Sequence, residues 1–96
     1  MRYLHTMVRV SDQKASLDFY CNKLGMVEIR RYDSEAGGFT NIFLAAPGDA
    51  DTAADTKAPV LELTYNWDPE DYTGGRNFGH LALSLIHISE PTRHTR

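Results

Sequence analysis

From Tyr3 to Val10 apolar and polar side chains alternate, with Leu4, Thr6, Val8 and Val10 on one side and Tyr3, His5, Met7 and Arg9 on the other. That period of two predicts a strand with one face buried. Ser11 and Asp12 then offer a helix N-cap, and Leu17, Tyr20 and Leu24 recur at helical spacing on one face. Gly25 stands where a left-handed residue would end that helix. Met26 to Tyr32 reads as a second strand, Asp33 to Gly38 as a turn whose glycines can take positive φ, and Phe39 to Ala46 as a third strand. Pro47 to Pro59 is rich in Ala, Asp and Thr with little that is bulky, which predicts a solvated loop. Val60 to Tyr65 is expected to form a fourth strand, Asn66 to Asn77 (with Asp68-Pro69 and Gly74-Gly75) another loop, and Phe78 or Gly79 to Leu85 a fifth strand. The order β-α-β-β-β, followed by the start of something new, places the chain in the α+β class.

The end of the chain reads differently. Leu83 to Arg93 resembles the in-frame translation of a transposase adapter used in short-read library preparation, over eleven consecutive residues. Residues 85–96 are therefore expected to be a non-native tail and are left out of the fold reasoning. Residues 1–84 are expected to be part of a longer domain. The tail contains His87, His94 and Glu90, so only His5 and His80 remain as candidate imidazoles.

Composition narrows the function classes. A chain of 96 residues allows one small domain with a thin core. Ten basic residues against thirteen acidic ones, without a basic block, argue against a nucleic-acid partner. No apolar run approaches the ~20 residues of a membrane helix, and the N-terminus lacks a signal peptide's regions. The single Cys21 cannot form an internal disulfide, so a reducing, cytoplasmic compartment is expected.

Three predicted strands each present one candidate ligand: His5 on the face of Met7 and Arg9, Glu62 on the face of Thr64 and Asn66, and His80 on the face of Ala82. Glu62 sits between Leu61 and Leu63, where a carboxylate needs a cation, a hydrogen-bond partner or open water. One nitrogen or oxygen donor from each of several rigid strands suits a first-row divalent metal. Plainer readings stand beside this one, a hydrogen-bonded structural histidine and a carboxylate on a solvated sheet face. The spacing matches no short local metal motif.

Met1 to Val10, Ser16 to Tyr20, Leu24-Gly25-Met26, Leu61 to Trp67 and Gly79-His80-Leu81-Ala82 together resemble the glyoxalase I family of the vicinal oxygen chelate superfamily, in its bacterial form. The resemblance runs from Met1 to about Ser84 and implies one βαβββ module plus the first strand of a second, missing module. It implies that His5 and Glu62 are the metal ligands of the first module and His80 the first ligand of the second. It also places Arg9 and Asn66 against the glutathione portion of the substrate. The spacing agrees, because His5 and Arg9, like Glu62 and Asn66, are i, i+4 on a strand and share a face.

The implied activity is that of a lactoylglutathione lyase, isomerising the methylglyoxal–glutathione hemithioacetal to S-lactoylglutathione. One divalent metal per site would polarise the substrate oxygens, nickel or cobalt being favoured and zinc possible, while a glutamate moves the proton. In the family that glutamate lies in the second module, so no residue here is assigned as catalytic base and the chain is expected to be inactive. The implied assembly is a homodimer whose sites take ligands from two chains. Alternatives within the fold are a dioxygenase, a thiol transferase, or a metal-free binder of the bleomycin-sequestering type.

The other polar and aromatic residues have plainer readings. Cys21 is expected to be partly exposed and unactivated, Tyr65 and Trp67 to pack near the rim of the site, and Arg30-Arg31 to be solvated. The aspartates at 49, 51 and 55 lack the glycine and closing glutamate of a calcium loop.

Overall fold

The computed structural model describes residues 1–56, 58–68, 70–73, 76 and 78–84. The tail 85–96, Pro69 and Gly74-Gly75 lie outside the described residues. Four strands form one mixed sheet in the order β1-β4-β3-β2. They are β1 (His5–Val10), β2 (Val27–Ser34), β3 (Phe39–Ala45) and β4 (Val60–Asn66). β1 runs parallel to β4, and the other pairings are antiparallel. The alternation read in the first strand is real: Thr6, Val8 and Val10 are half-buried, while His5, Met7 and Arg9 are exposed on the opposite face.

The core lies between the sheet and the first helical segment. Met26, Ile42, Leu44, Leu61 and Leu63 form it, with Val8, Val10, Leu17, Tyr20 and Cys21 packed against them. Ile42, Leu44 and Leu63 are fully buried, and each contributes roughly 1.5–3 kcal/mol by leaving water. Asp12 caps α1 (Gln13–Leu17), its carboxylate accepting the Ala15 N–H at 2.9 Å. The expected single amphipathic helix instead widens into a π-helical turn over Asp18–Lys23. Leu24 N–H reaches back to the Phe19 carbonyl and Met26 N–H to that of Tyr20. The wider turn carries later residues round the axis, so Tyr20 and Cys21 pack on the core while Leu24 stays exposed. Gly25 ends the segment at φ +84°, as its position predicts.

Two expectations change. The stretch expected to be a solvated loop folds as a 3-10 turn (Pro47–Asp49) leading into α2 (Ala50–Thr56). Proline at the start and alanines after it favour a helix, and the small Ala53 is buried against the sheet. The lack of bulky residues permits close approach here. The expected fifth strand is not formed over residues 78–84, and Phe78 to Leu83 line a cavity with no strand ladder. Among the described residues, no strand edge pairs with that segment.

The β2–β3 hairpin turns at Glu35–Gly38, with Gly38 at φ +69° and its N–H bonded to the Ser34 carbonyl. Between Glu28 and Arg30 the β2–β3 register shifts by one residue. This bulge determines which sheet face the following side chains occupy.

Candidate functional site

Parallel pairing of β1 with β4 sets Met7 opposite Glu62 and Arg9 opposite Thr64. His5 then reaches Glu62 diagonally, its Nε2 standing 2.9 Å from Glu62 Oε1. This is the sheet face turned away from the core. Glu62 is 8% exposed, whereas the imidazole remains open on one side. The partner that a carboxylate between leucines requires is therefore His5.

The remaining contacts of Glu62 are uneven. Thr64 Oγ1–H donates to Asn41 Oδ1 at 2.8 Å, and the same hydroxyl lies 3.5 Å from Glu62 Oε2. One hydroxyl proton cannot serve both well, and the shorter bond takes it. Oε2 is thus a buried carboxylate oxygen with no strong donor among the described residues. An imidazole nitrogen beside an under-satisfied carboxylate oxygen is a donor set that fits a divalent cation.

Neighbouring strands supply the walls. Phe43 lies opposite Glu62 in the β3–β4 register, and its ring meets His5 edge-on, the centroids 5.9 Å apart. The Arg30 guanidinium sits 4.1 Å from the centre of the Phe43 ring. A cavity of about 310 Å3 opens here beneath α2, lined by His5, Ile29, Arg30, Phe43, Ala53 and Val60 among others.

Arg9 stands exposed at the far end of β1, next to β4. Asn66 ends β4 half-buried, and its amide donates to the Tyr72 hydroxyl, which donates to Glu70. His80 is placed elsewhere. It lines a larger cavity, about 570 Å3, together with Thr6, Tyr20, Leu44 and Leu61 on the core side of the sheet. Among the described residues no third His, Cys, Asp or Glu joins His5 and Glu62. Within this chain the structure gathers two of the three expected ligands.

Sequence reasoning missed Phe43, Arg30, Asn41 and Thr64. Alternation along β3 and β4 indicates their faces, but their neighbours depend on the β3–β4 register and the β2 bulge. Arg30 and Arg31 are exposed, as expected; Arg30 also covers Phe43, and Arg31 makes a two-pronged pair with Glu28. Hydrogen bonding to Glu28 holds the Arg31 guanidinium above its ordinary range, against a smaller opposing effect of burial. Trp67 donates its indole N–H to Thr40 Oγ1. Cys21 is half-buried, and its thiol is pushed above its ordinary value by burial first and the Glu28 charge second, the opposite of activation.

Comparison with known proteins identifies the family. The family model described as "Glyoxalase/Bleomycin resistance protein/Dioxygenase superfamily" matches residues 2–94. A lactoylglutathione lyase of Neisseria meningitidis is 49% identical over 85 residues, covering 88% of this chain and 57% of that protein. One from Salmonella typhimurium is 38% identical over 96 residues, covering the whole chain and 67% of the relative. Among solved structures, the trypanothione-dependent glyoxalase I of Leishmania major superposes with a TM-score of 0.74 at 35% identity, covering 88% of this chain and 57% of that one. The chain thus spans little more than half the length of the Neisseria relative. With the β1-α1-β2-β3-α2-β4 order, the mixed sheet and these matches in agreement, the chain belongs to the glyoxalase/bleomycin resistance protein/dioxygenase superfamily.

Proposed function

We propose that this chain is the first module of a lactoylglutathione lyase, contributing half of a metal centre and part of a glutathione-binding surface. The observation that carries the reading is the 2.9 Å approach of His5 Nε2 to Glu62 Oε1 on adjacent parallel strands. Two neighbouring ligands at ~2.1 Å from one cation, at a right angle, stand about 3.0 Å apart. Lactoylglutathione lyase relatives at up to 49% identity support the same activity.

His5 and Glu62 would hold the metal, with nickel or cobalt favoured over zinc. When bound, the metal supplies Lewis-acid polarisation of the substrate oxygens. Arg9 would grip a glutathione carboxylate through its guanidinium, a charge-assisted and geometrically specific contact. Asn66 would exchange its bond to Tyr72 for a substrate amide. His80 would act as a ligand in a site completed by a second module in a homodimer, apart from the His5–Glu62 pair of its own chain. Residues 85–96 would be a foreign tail. The general-base glutamate would belong to the second module, so the 96 residues alone would turn over little hemithioacetal. A protein of this kind would work on cytoplasmic methylglyoxal.

Calorimetric titration with nickel and cobalt tests the centre. The chain should take up one metal per His5–Glu62 pair, and Glu62→Gln should weaken uptake by at least tenfold. Equal uptake by the variant would remove Glu62 from the site. No uptake by the unaltered chain would favour a metal-free binder. Fusing a second module carrying its glutamate should restore isomerase activity, and substantial activity without it would overturn the fragment reading.

A further inference from the structure

We propose that Phe43, pinned by Arg30, is a positioning residue that fixes the orientation of the His5 imidazole; this deepens the reading of His5 as a metal ligand and rests on it. Nε2 stands 2.9 Å from Glu62 Oε1, and among the described residues no group hydrogen-bonds the other ring nitrogen. A ring tethered at one atom can swing about its outer torsion, which is a broad, soft coordinate. The only described aromatic contact opposing that swing is Phe43, its plane inclined 80° to the imidazole.

Phe43 is itself held from the other side by the Arg30 guanidinium, 4.1 Å from its ring centre. The β2 bulge makes this possible. Glu28 pairs with Leu44 and Arg30 with Phe43, so Ile29 is the extra residue. Without that extra residue Ile29 would face Phe43, and Arg30 would pair with Ile42 on the apolar core side. The bulge therefore puts Arg30 on the face of Phe43, where it clamps an aromatic ring beside the site, and leaves Arg31 opposite Ile42, where it pairs with Glu28. Histidine ligands are usually oriented by a hydrogen bond at the second nitrogen. Here a cation–aromatic–imidazole stack across three strands takes that part.

Long-range 1H–15N correlation of the imidazoles in the metal-free 96-residue chain reads the ring state directly. His5 should be a single tautomer. Phe43→Leu should shift its two nitrogens toward a mixed population and weaken cobalt or nickel binding about tenfold. Phe43→Tyr should restore both. Arg30→Met should give a change of about two- to fivefold in the same direction, and Arg30→Lys a smaller one. If Phe43→Leu fails to fold by circular dichroism, Arg30→Met decides, because Arg30 is exposed and its loss opens no cavity. Tautomer and metal affinity within experimental error of the unaltered chain in the decisive variant would overturn the proposal. The tautomer measurement needs no metal, so failure of the unaltered chain to bind metal would count against the functional reading and leave the positioning result standing.

Discussion

At Glu62 a residue's position in the sequence and its chemistry conflict, because a carboxylate occupies a strand position that is 8% exposed. The conflict is resolved by a histidine on the next strand, and such a pair is weak evidence for stability because desolvation offsets most of its attraction. Glu62→Gln, which keeps the shape and an oxygen facing His5 Nε2, is therefore expected to alter folding stability by less than about 1 kcal/mol in urea titration while weakening metal uptake at least tenfold. A large loss of stability would mark the pair as structural. Cys21 behaves oppositely. Its thiol is held protonated by burial and by Glu28, so alkylation at neutral pH should be slower than for a free cysteine. A thiol pKa raised by folding contributes stability that is intact below the unfolded value near ~8.5 and fades as pH rises through the folded value. The urea midpoint should accordingly fall as pH rises above the unfolded value near ~8.5, and Cys21→Ser should flatten that fall.

Among the elements, β3 carries most of the architecture. It pairs on both sides, contributes Ile42 and Leu44 to the core, and presents Phe43 and Asn41 to the site. Its first half is tied by a chain of bonds: Trp67 Nε1–H donates to Thr40 Oγ1 at 2.9 Å, and Thr40 Oγ1–H donates to Asp33 at 2.7 Å. Thr40→Val keeps the shape but strands the indole N–H and the carboxylate, which should cost about 1–3 kcal/mol and alter Trp67 fluorescence. The hairpin is equally restrictive. A Cβ at Gly37 would stand 2.4 Å from the Phe39 ring, so Gly37→Ala should shift that ring or the turn and destabilise the protein in thermal melts. Both effects arise within a single hairpin and its neighbour. Neither should disturb the His5–Glu62 contact, so retained metal uptake in the folded variants is the companion measurement.

On the scale of the whole molecule, the two faces of the sheet have different surroundings. One is covered by α1 and the π-helical turn, and the other carries the candidate metal site and α2. Around the larger cavity Phe19, Leu24, Phe78, Leu81 and Leu83 remain exposed. An apolar rim of this kind favours association. The chain is expected to self-associate with rising concentration in sedimentation velocity, and Leu81→Ser with Leu83→Ser should lower that tendency. A strictly monomeric chain at high concentration would count against it. No helix among the described residues is long and apolar enough to cross a membrane.

The sequence by itself determined what is local: the alternation of β1, the Asp12 cap, the left-handed Gly25, the glycine turn, and the need of Glu62 for a partner. Each follows from residues within a few positions of one another. The α2 segment shows where that reasoning stopped, because its alanines suit a helix or an open loop and only close approach to the sheet decides between them. Tertiary structure alone decided that His5 meets Glu62 across a parallel pairing, that Phe43 faces both, and that a one-residue bulge turns Arg30 toward them. These are matters of register between strands far apart in the chain. A slip of one residue would move every side chain to the other face, and only the simultaneous packing of all four strands fixes that choice.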